Sequence, residues 1–168
     1  IPLLCPEEID EFIEGCDLSR YDYLLGMTRE EVLQPYYPRP GVPGIRFTYF
    51  QFDHSKERQN NLHLIRIFRV INRRIIEQMY RYRYQRKWKN MARLLWVLLR
   101  TQAVTPRMIL KFLLLHLCKV LEPLPAGWLQ RYLRRFLSKP GIEQDISRLL
   151  QARFGSVLTT YGGAALDV

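Results

Sequence analysis

The chain has 168 residues, and its content of 48% hydrophobic and 12% aromatic residues excludes a wholly disordered protein. Its 26 lysines and arginines outnumber its 16 acids, and the net charge of +10 indicates a partner that carries anionic groups. The sequence has no run of about 20 uncharged apolar residues, so it predicts neither a membrane span nor a membrane partner.

The acidic residues are concentrated at the start of the chain. Residues 1–31 contain nine acids and two arginines, a net charge of −7, so the remainder carries +17. This segment either folds back on the basic part as an internal counter-charge or forms a separate docking surface for a basic partner. Within it, Pro6 to Gly15 predicts a short amphipathic helix. Thr28 followed by Glu31 predicts a second, capped helix that ends before Pro35.

A proline-rich segment follows the acidic region. Residues 35–44 contain four prolines, which remove backbone donors and exclude a regular helix. Ile45 to Phe52 is aromatic and β-branched enough for a strand, but no second convincing strand follows, so it is expected to lie as an extended segment along helices. Residues 1–52 are therefore assigned to an acidic N-terminal segment with a proline-rich loop.

Basic helices are predicted in the middle of the chain. From about residue 53, apolar residues recur every three or four positions as far as Tyr82, and a second such pattern runs from Trp88 to Arg100. Between residues 62 and 100, eleven basic residues oppose the single acid Glu77. Arginine forms bidentate contacts with phosphate, and the interleaved tyrosines can stack on bases. The predicted nucleic-acid-binding residues are Arg66, Arg69, Arg73, Arg74, Arg81, Arg83, Arg86, Lys87 and Lys89.

Three further helices are predicted after residue 104. Thr105 before Pro106 predicts the start of an apolar helix that ends at Leu121 and is expected to be the central, most buried element. Residues 128–137 predict a helix with its aromatic side chains inward and Arg131, Arg134 and Arg135 outward. The last predicted helix carries Ile142, Ile146, Leu149 and Leu150 and ends near Phe154 and Gly155. The expected fold is all-α, with five to seven helices in a bundle or helical-repeat-like array over residues 53–155. Residues 156–168 are expected to form a flexible tail.

The sequence contains no recognisable catalytic motif. Paired carboxylates, a nucleophile with its base and a phosphate-cradling glycine loop are all missing, so the chain is predicted not to be an enzyme and to have no small-molecule substrate. The three cysteines include no CxxC pair and the three histidines lack zinc-ligand spacing, so neither a metal nor a cofactor is expected. An odd number of cysteines without a signal peptide favours a reducing compartment.

The segment from Leu62 to Leu117 carries a family resemblance. It combines a long helix, a basic turn at Trp88 and the sequence WKNMARLLWVLLR before another apolar helix. This arrangement resembles the helical-repeat, tetratricopeptide-like subunit of the RNA polymerase I core initiation factor. The resemblance implies a non-enzymatic nuclear (nucleolar) scaffold or adaptor that binds protein subunits of a larger complex and the phosphate backbone of DNA.

Two alternatives to this function stay open at the level of the sequence. The first is a basic RNA-associated structural protein, such as an organellar ribosomal component in the mitochondrial matrix, whose arginines bind RNA phosphates. The second is a purely protein-binding adaptor, in which the basic face binds acidic partners. The salt dependence of the binding affinity separates the two nucleic-acid-binding functions from the protein-binding adaptor, because contacts with phosphates release counterions.

Overall fold

A computed structural model describes residues 4–81, 96, 104–122 and 127–166, and within them the fold is mixed α/β. The prediction of an all-α bundle or helical-repeat array is therefore wrong. The helices are α1 (Pro6–Glu14), α2 (Glu30–Leu33), α3 (Arg73–Arg81), α4 (Pro106–Leu121), α5 (Gly127–Arg134) and α6 (Lys139–Leu150). The strands are β1 (Tyr23–Arg29), β2 (Phe50–Gln51), β3 (Lys56–Ile65) and β4 (Phe154–Thr159). Short 3-10 turns occupy Gln34–Tyr36, Ile67–Arg69 and Gly163–Ala165.

The four strands form one mixed sheet in the order β2-β3-β1-β4. β3 is antiparallel to both β2 and β1, whereas β4 lies parallel to β1 on the other side. A parallel pair requires a crossover connection. Here the chain passes through β2, β3 and helices α2 to α6 between the two parallel strands, so their pairing depends on contacts between distant parts of the sequence.

Helices cover both faces of the sheet. Leu24 of β1 packs with Phe12 of α1 and Val157 of β4 on one face. Tyr23 and Leu25 point to the other face, because successive side chains of a strand alternate. They pack there against a buried cluster made of Val70, Ile75, Leu149, Leu150 and Phe154. A continuous apolar run in β1 is therefore the pattern of a strand buried on both faces.

The predicted helix from about residue 53 to Tyr82 is wrong over its first part. Lys56–Ile65 is strand β3, a 3-10 turn follows at Ile67–Arg69, and a helix begins only at Arg73. Apolar residues at the end of the strand, in the turn and in the helix lie three or four positions apart. This spacing is typical of a single amphipathic helix, so the sequence predicted one. The strand is polar, but β1 pairs with it from Glu57 to Ile65 and β2 pairs with its first two residues. The predicted helix from Trp88 to Arg100 lies outside the described residues, apart from Trp96.

The sheet crosses the predicted domain boundaries at residues 52/53 and 155/156. β1 comes from the predicted N-terminal segment, β3 from the predicted helical domain, and β4 extends into the predicted tail. Instead of forming a flexible tail, Ala165 and Leu166 are buried and pack with Leu33 and Tyr49. The composition of the tail did not reveal this burial, because the side chains that cover it are distant in the sequence.

Predictions that depended on local signals are confirmed for two helices. α1 and α4 begin at the predicted prolines. Thr105 Oγ1 accepts a hydrogen bond of 3.3 Å from the backbone N–H of Met108, which is the expected cap of α4. The predicted cap by Thr28 is absent, because α2 begins at Glu30 without a side-chain cap and Thr28 is buried in β1.

Helices α4 and α5 are much more exposed than the sequence predicted. In α4 only Lys111, Cys118 and Leu121 are buried. In α5 no residue is buried, and Trp128 is 70% exposed. The predictions of a central α4 and of inward aromatic side chains in α5 are therefore wrong. An apolar composition indicates burial only when neighbouring elements cover the helix, and the sequence did not show this cover.

Asp22 connects the start of β1 to the turn before β4. Its carboxylate accepts hydrogen bonds of 2.9 Å from Arg153 Nε and Nη2, and these bonds lower its pKa from 3.8 to about 2. Because the folded pKa lies below the unfolded value, the pair stabilises the fold above roughly pH 4 and loses its effect as the pH falls toward 2.

In urea denaturation we expect Asp22→Asn to be less stable than wild type at pH 7, with a difference that shrinks below pH 4. The exposed Asp10→Asn is the control, and a pH-independent difference for Asp22→Asn would contradict the assignment.

Candidate functional site

Polar side chains gather at the edge of the sheet where β1 and β4 end and β3 begins. Ligands of open α/β sheets bind outside the carboxyl ends of parallel strands. At this edge Arg29, the last residue of β1, is paired with Glu57 of β3, and Thr28 is paired with Thr159 of β4. The rule therefore predicts a ligand site at this edge, which we call the polar edge.

A buried hydrogen-bond network joins the three strands close to the polar edge. Asn60 Nδ2 donates to Thr28 Oγ1 and to Thr159 Oγ1, both at 3.2 Å. Asn60 Oδ1 accepts from the backbone N–H of Leu62 at 3.0 Å. Asn60 is 1% exposed, and Gly26 of β1 provides its space, since a β-carbon at that glycine would overlap the Asn60 side chain. The network fixes the relative positions of the strands that carry the edge.

Glu57 anchors the elements around the polar edge. It is 2% exposed. Ser55 Oγ donates to its Oε1 at 2.7 Å, and Lys139 Nζ lies 2.7 Å from its Oε2. A buried carboxylate is costly unless it is paired in this way. Because both oxygens are occupied, Glu57 holds the turn before β3 and the start of α6 in place.

A polar cleft opens beside the turn between β2 and β3. We call it the hairpin cleft; it has a volume of about 490 Å³ and is lined by Asp53, His54, Arg131, Arg134 and Arg135. Arg134 builds its wall, since its Nε donates to Phe52 O at 2.6 Å and its Nη2 donates to Ser55 O at 3.1 Å. Arg131 and Arg135 are exposed, and neither has an ion-pair partner among the described residues. Their guanidinium groups are thus accessible to a ligand.

Asp53 and His54 supply the other side of the hairpin cleft. Asp53 Oδ1 accepts from the backbone N–H of His54 at 3.0 Å, and Asp53 Oδ2 lies 3.5 Å from His54 Nε2. The His54 side chain is 93% exposed. Three guanidinium groups against one carboxylate give the lining an excess of positive charge, which suits an anion with oxygen acceptors.

The arginines that the sequence singled out lie elsewhere in the structure. Four of them are exposed between the turn before α3 and its first residues: Arg66, Arg69, Arg73 and Arg74. Arg81 ends α3, and Arg83, Arg86, Lys87 and Lys89 lie outside the described residues. The Arg73 guanidinium lies 5.9 Å from the ring of Phe68, which is 93% exposed. The binding of nucleic acid by these residues stays a prediction.

The residues of the hairpin cleft were missed as a group by sequence reasoning. Arg131, Arg134 and Arg135 were predicted on the outer face of a helix, and Asp53 and His54 were given no role. The two sets are far apart in the sequence, and only the folding of α5 against the β2–β3 turn brings them together. The one signal in the sequence was the adjacent aspartate and histidine at positions 53 and 54, and such a pair is by itself too common to predict a site.

Among residues 4–81, 104–122 and 127–166, no three His, Cys, Asp or Glu side chains are placed to hold a metal ion together. In the same ranges no helix has the length and apolar character needed to cross a lipid bilayer. Cys16 and Cys118 are free thiols whose pKa values are raised by burial, so they lack the thiolate character of a reactive cysteine.

A solved structure has a similar fold. It comes from Thermus thermophilus and is described as a hypothetical transferase; the TM-score is 0.62 and the sequence identity 18%. The alignment covers 99% of this chain and 56% of that chain, so this chain spans little more than half the length of that protein. No protein-family model and no curated protein matches the sequence. At this identity the likeness shows the fold alone.

This likeness corrects the expected family. The resemblance to the helical-repeat subunit of the RNA polymerase I core initiation factor is wrong, because the chain aligns over 99% of its length with another architecture and Lys56–Ile65 is a strand. The roles in transcription and in the nucleus depended on that resemblance and lose their basis. The prediction that this chain is not an enzyme stays a prediction, since a likeness at 18% identity does not test it.

Proposed function

We propose that this chain is part of a group-transferring enzyme and that its hairpin cleft holds a phosphate group of the substrate. The observation that carries the proposal is the convergence of Arg131, Arg134 and Arg135 with Asp53 and His54 in one cleft beside the sheet. The fold of a hypothetical transferase supports the enzyme class. The excess positive charge of the cleft supports a substrate with anionic oxygens.

Each cleft residue has a distinct role in this proposal. Arg134 is bonded to two backbone carbonyls and keeps the β2–β3 turn in position. Arg131 and Arg135 present exposed guanidinium groups, which bind phosphate oxygens bidentately. His54 accepts the proton of an acceptor hydroxyl as that oxygen bonds to the transferred group, and Asp53 orients the imidazole. The bond between the transferred group and the phosphate breaks, and the phosphate leaves with the electron pair while Arg131 and Arg135 hold it.

Removal of the two accessible arginines tests this function. We expect wild type to bind pyrophosphate in isothermal titration calorimetry, and Arg131→Ala combined with Arg135→Ala to bind it at least about tenfold more weakly, since hydrogen bonds to charged groups contribute roughly 1.5–3 kcal/mol each. The control is Arg46→Ala combined with Arg107→Ala, which removes two exposed arginines that do not line the cleft. Equal pyrophosphate binding by the cleft variant and wild type would reject the cleft as the phosphate site.

Binding to the phosphates of a nucleic acid is the second candidate function. The exposure of Arg66, Arg69, Arg73 and Arg74 along one short segment favours it. The same titration distinguishes the two functions. The second candidate is supported if the chain does not bind pyrophosphate but binds an RNA duplex with an affinity that falls steeply as the salt concentration rises. Phosphate contacts from this segment would then explain the net positive charge.

A further inference from the structure

The outer faces of α4 and α5 form a second surface of unusual composition. Four apolar side chains of α4 recur at helical spacing and are 43% to 63% exposed: Leu110, Leu113, Leu117 and Val120. In α5 and the turn after it, three aromatic side chains are 53% to 70% exposed: Trp128, Tyr132 and Phe136. The helices are in contact, since Gln130 Nε2 donates to Cys118 O at 3.1 Å. We call these seven side chains the α4–α5 surface.

The charged residues within α4 and α5 are all basic, and the exposed Glu122 directly after α4 is paired with Lys56. Neither α4 nor α5 contains an aspartate or a glutamate. Exposed basic residues border the apolar side chains, namely Lys119, Arg131 and Arg135. In α5 aromatic and basic side chains share one face, because Arg131 and Tyr132 lie three and four positions after Trp128, and Arg135 follows in the turn after the helix. A partner that fits this surface must therefore offer apolar contact together with negative charge.

We propose that the α4–α5 surface docks on the anionic face of a lipid bilayer. Tryptophan and tyrosine rings are favoured at the level of the lipid headgroups, and arginine reaches headgroup phosphates while its stem stays in apolar surroundings. The leucines of α4 then enter the boundary between headgroups and acyl chains. In this mode α4 lies along the membrane surface. Its 16 residues give it a length of about 24 Å, and it is not long and apolar enough to cross a membrane.

This inference reverses an expectation drawn from the sequence. The sequence predicted no membrane partner, because it has no run of about 20 uncharged apolar residues and because α4 was expected to be a buried helix. The structure removes the second reason, since Leu110, Leu113 and Val120 are largely accessible to solvent. The apolar composition of α4 therefore needs another explanation, and the neighbouring basic and aromatic side chains of α5 supply one.

Vesicle binding tests the proposal. We expect the wild-type chain to cosediment with vesicles of phosphatidylcholine mixed with phosphatidylglycerol, and to bind phosphatidylcholine vesicles much less. Trp128→Ser combined with Phe136→Ser should reduce the partition coefficient on the mixed vesicles at least about tenfold, since two large apolar side chains lose their contact with lipid. The control is Phe68→Ser combined with Ile71→Ser, which removes two exposed apolar side chains outside this surface and should leave binding unchanged. Circular dichroism establishes that each variant is folded.

The possible outcomes separate this proposal from its rivals. Failure of wild type to bind the mixed vesicles, equal binding to the neutral vesicles, or equal binding by wild type and Trp128→Ser/Phe136→Ser would each overturn it. Self-association of wild type that the variant loses, without vesicle binding, would assign the surface to a second copy of the chain. Trp128 and Phe136 do not line the hairpin cleft. The variant should therefore keep any pyrophosphate binding, which separates the two proposals although Arg131 and Arg135 take part in both.

Discussion

Replacement of Lys111 by methionine is expected to destabilise the fold by about 3–5 kcal/mol. Lys111 Nζ lies 2.5 Å from Asp145 Oδ2 and donates to Gly141 O at 2.9 Å. Both charged residues are buried, at 7% and 8% exposure. Without the ammonium group, the Asp145 carboxylate stays in a poorly solvated site; its other partner, Arg148, is 3.9 Å away and half exposed. In a thermal melt the loss corresponds to a fall in Tm of roughly 10 °C.

Two further variants make the Lys111 prediction specific. Lys119→Met removes an exposed lysine from the same helix, and its stability should change by less than about 0.5 kcal/mol. Lys111→Met combined with Asp145→Leu removes both charges and should recover most of the loss, because an apolar pair can replace a buried ion pair. If urea denaturation gives Lys111→Met a loss of less than about 1 kcal/mol, the buried pair is not the contact that joins α4 to α6.

Gly26→Ala is expected to cost about 3 kcal/mol. The register of β1 against β3 shifts between Leu25 and Met27, and at this irregularity the Asn60 side chain fills the space where a β-carbon of residue 26 would lie. An added methyl group would displace Asn60 from its bonds to Thr28 and Thr159. Overpacking and broken buried hydrogen bonds therefore act together, and urea denaturation measures their sum.

A double-mutant cycle identifies the cause of the Gly26 effect. In the Asn60→Ala background, Gly26→Ala should cost less than about 1 kcal/mol, because the side chain that it overlaps is gone. Gly127→Ala is the matched control, since a β-carbon at Gly127 has no neighbour within 4 Å and alanine is the better helix former. An equal cost of Gly26→Ala in both backgrounds would exclude the overlap with Asn60 as its origin.

Strand β3 and the hairpin cleft show why the sequence was a poor guide to the architecture. The segment KERQNNLHLI has no strong β-propensity, and it is a strand because β1 pairs with most of its length and β2 with its first two residues. The cleft likewise requires Arg134 of α5 to bond to the carbonyls of Phe52 and Ser55. Neither relation leaves a periodic pattern in the chain, because both join segments that are far apart in the sequence.

What the sequence determined by itself is local. The starts of α1 and α4 follow from a proline in the first turn, and for α4 also from the Thr105 cap, since these signals act within a few residues. The basic character of the chain follows from its composition alone. Tertiary structure decided that Tyr23–Arg29 and Phe154–Thr159 are parallel neighbours, that Leu166 is buried, and that much of α4 is exposed. These properties depend on which distant segments bury each other's apolar surface and share backbone hydrogen bonds, and only the folded chain brings those segments into contact.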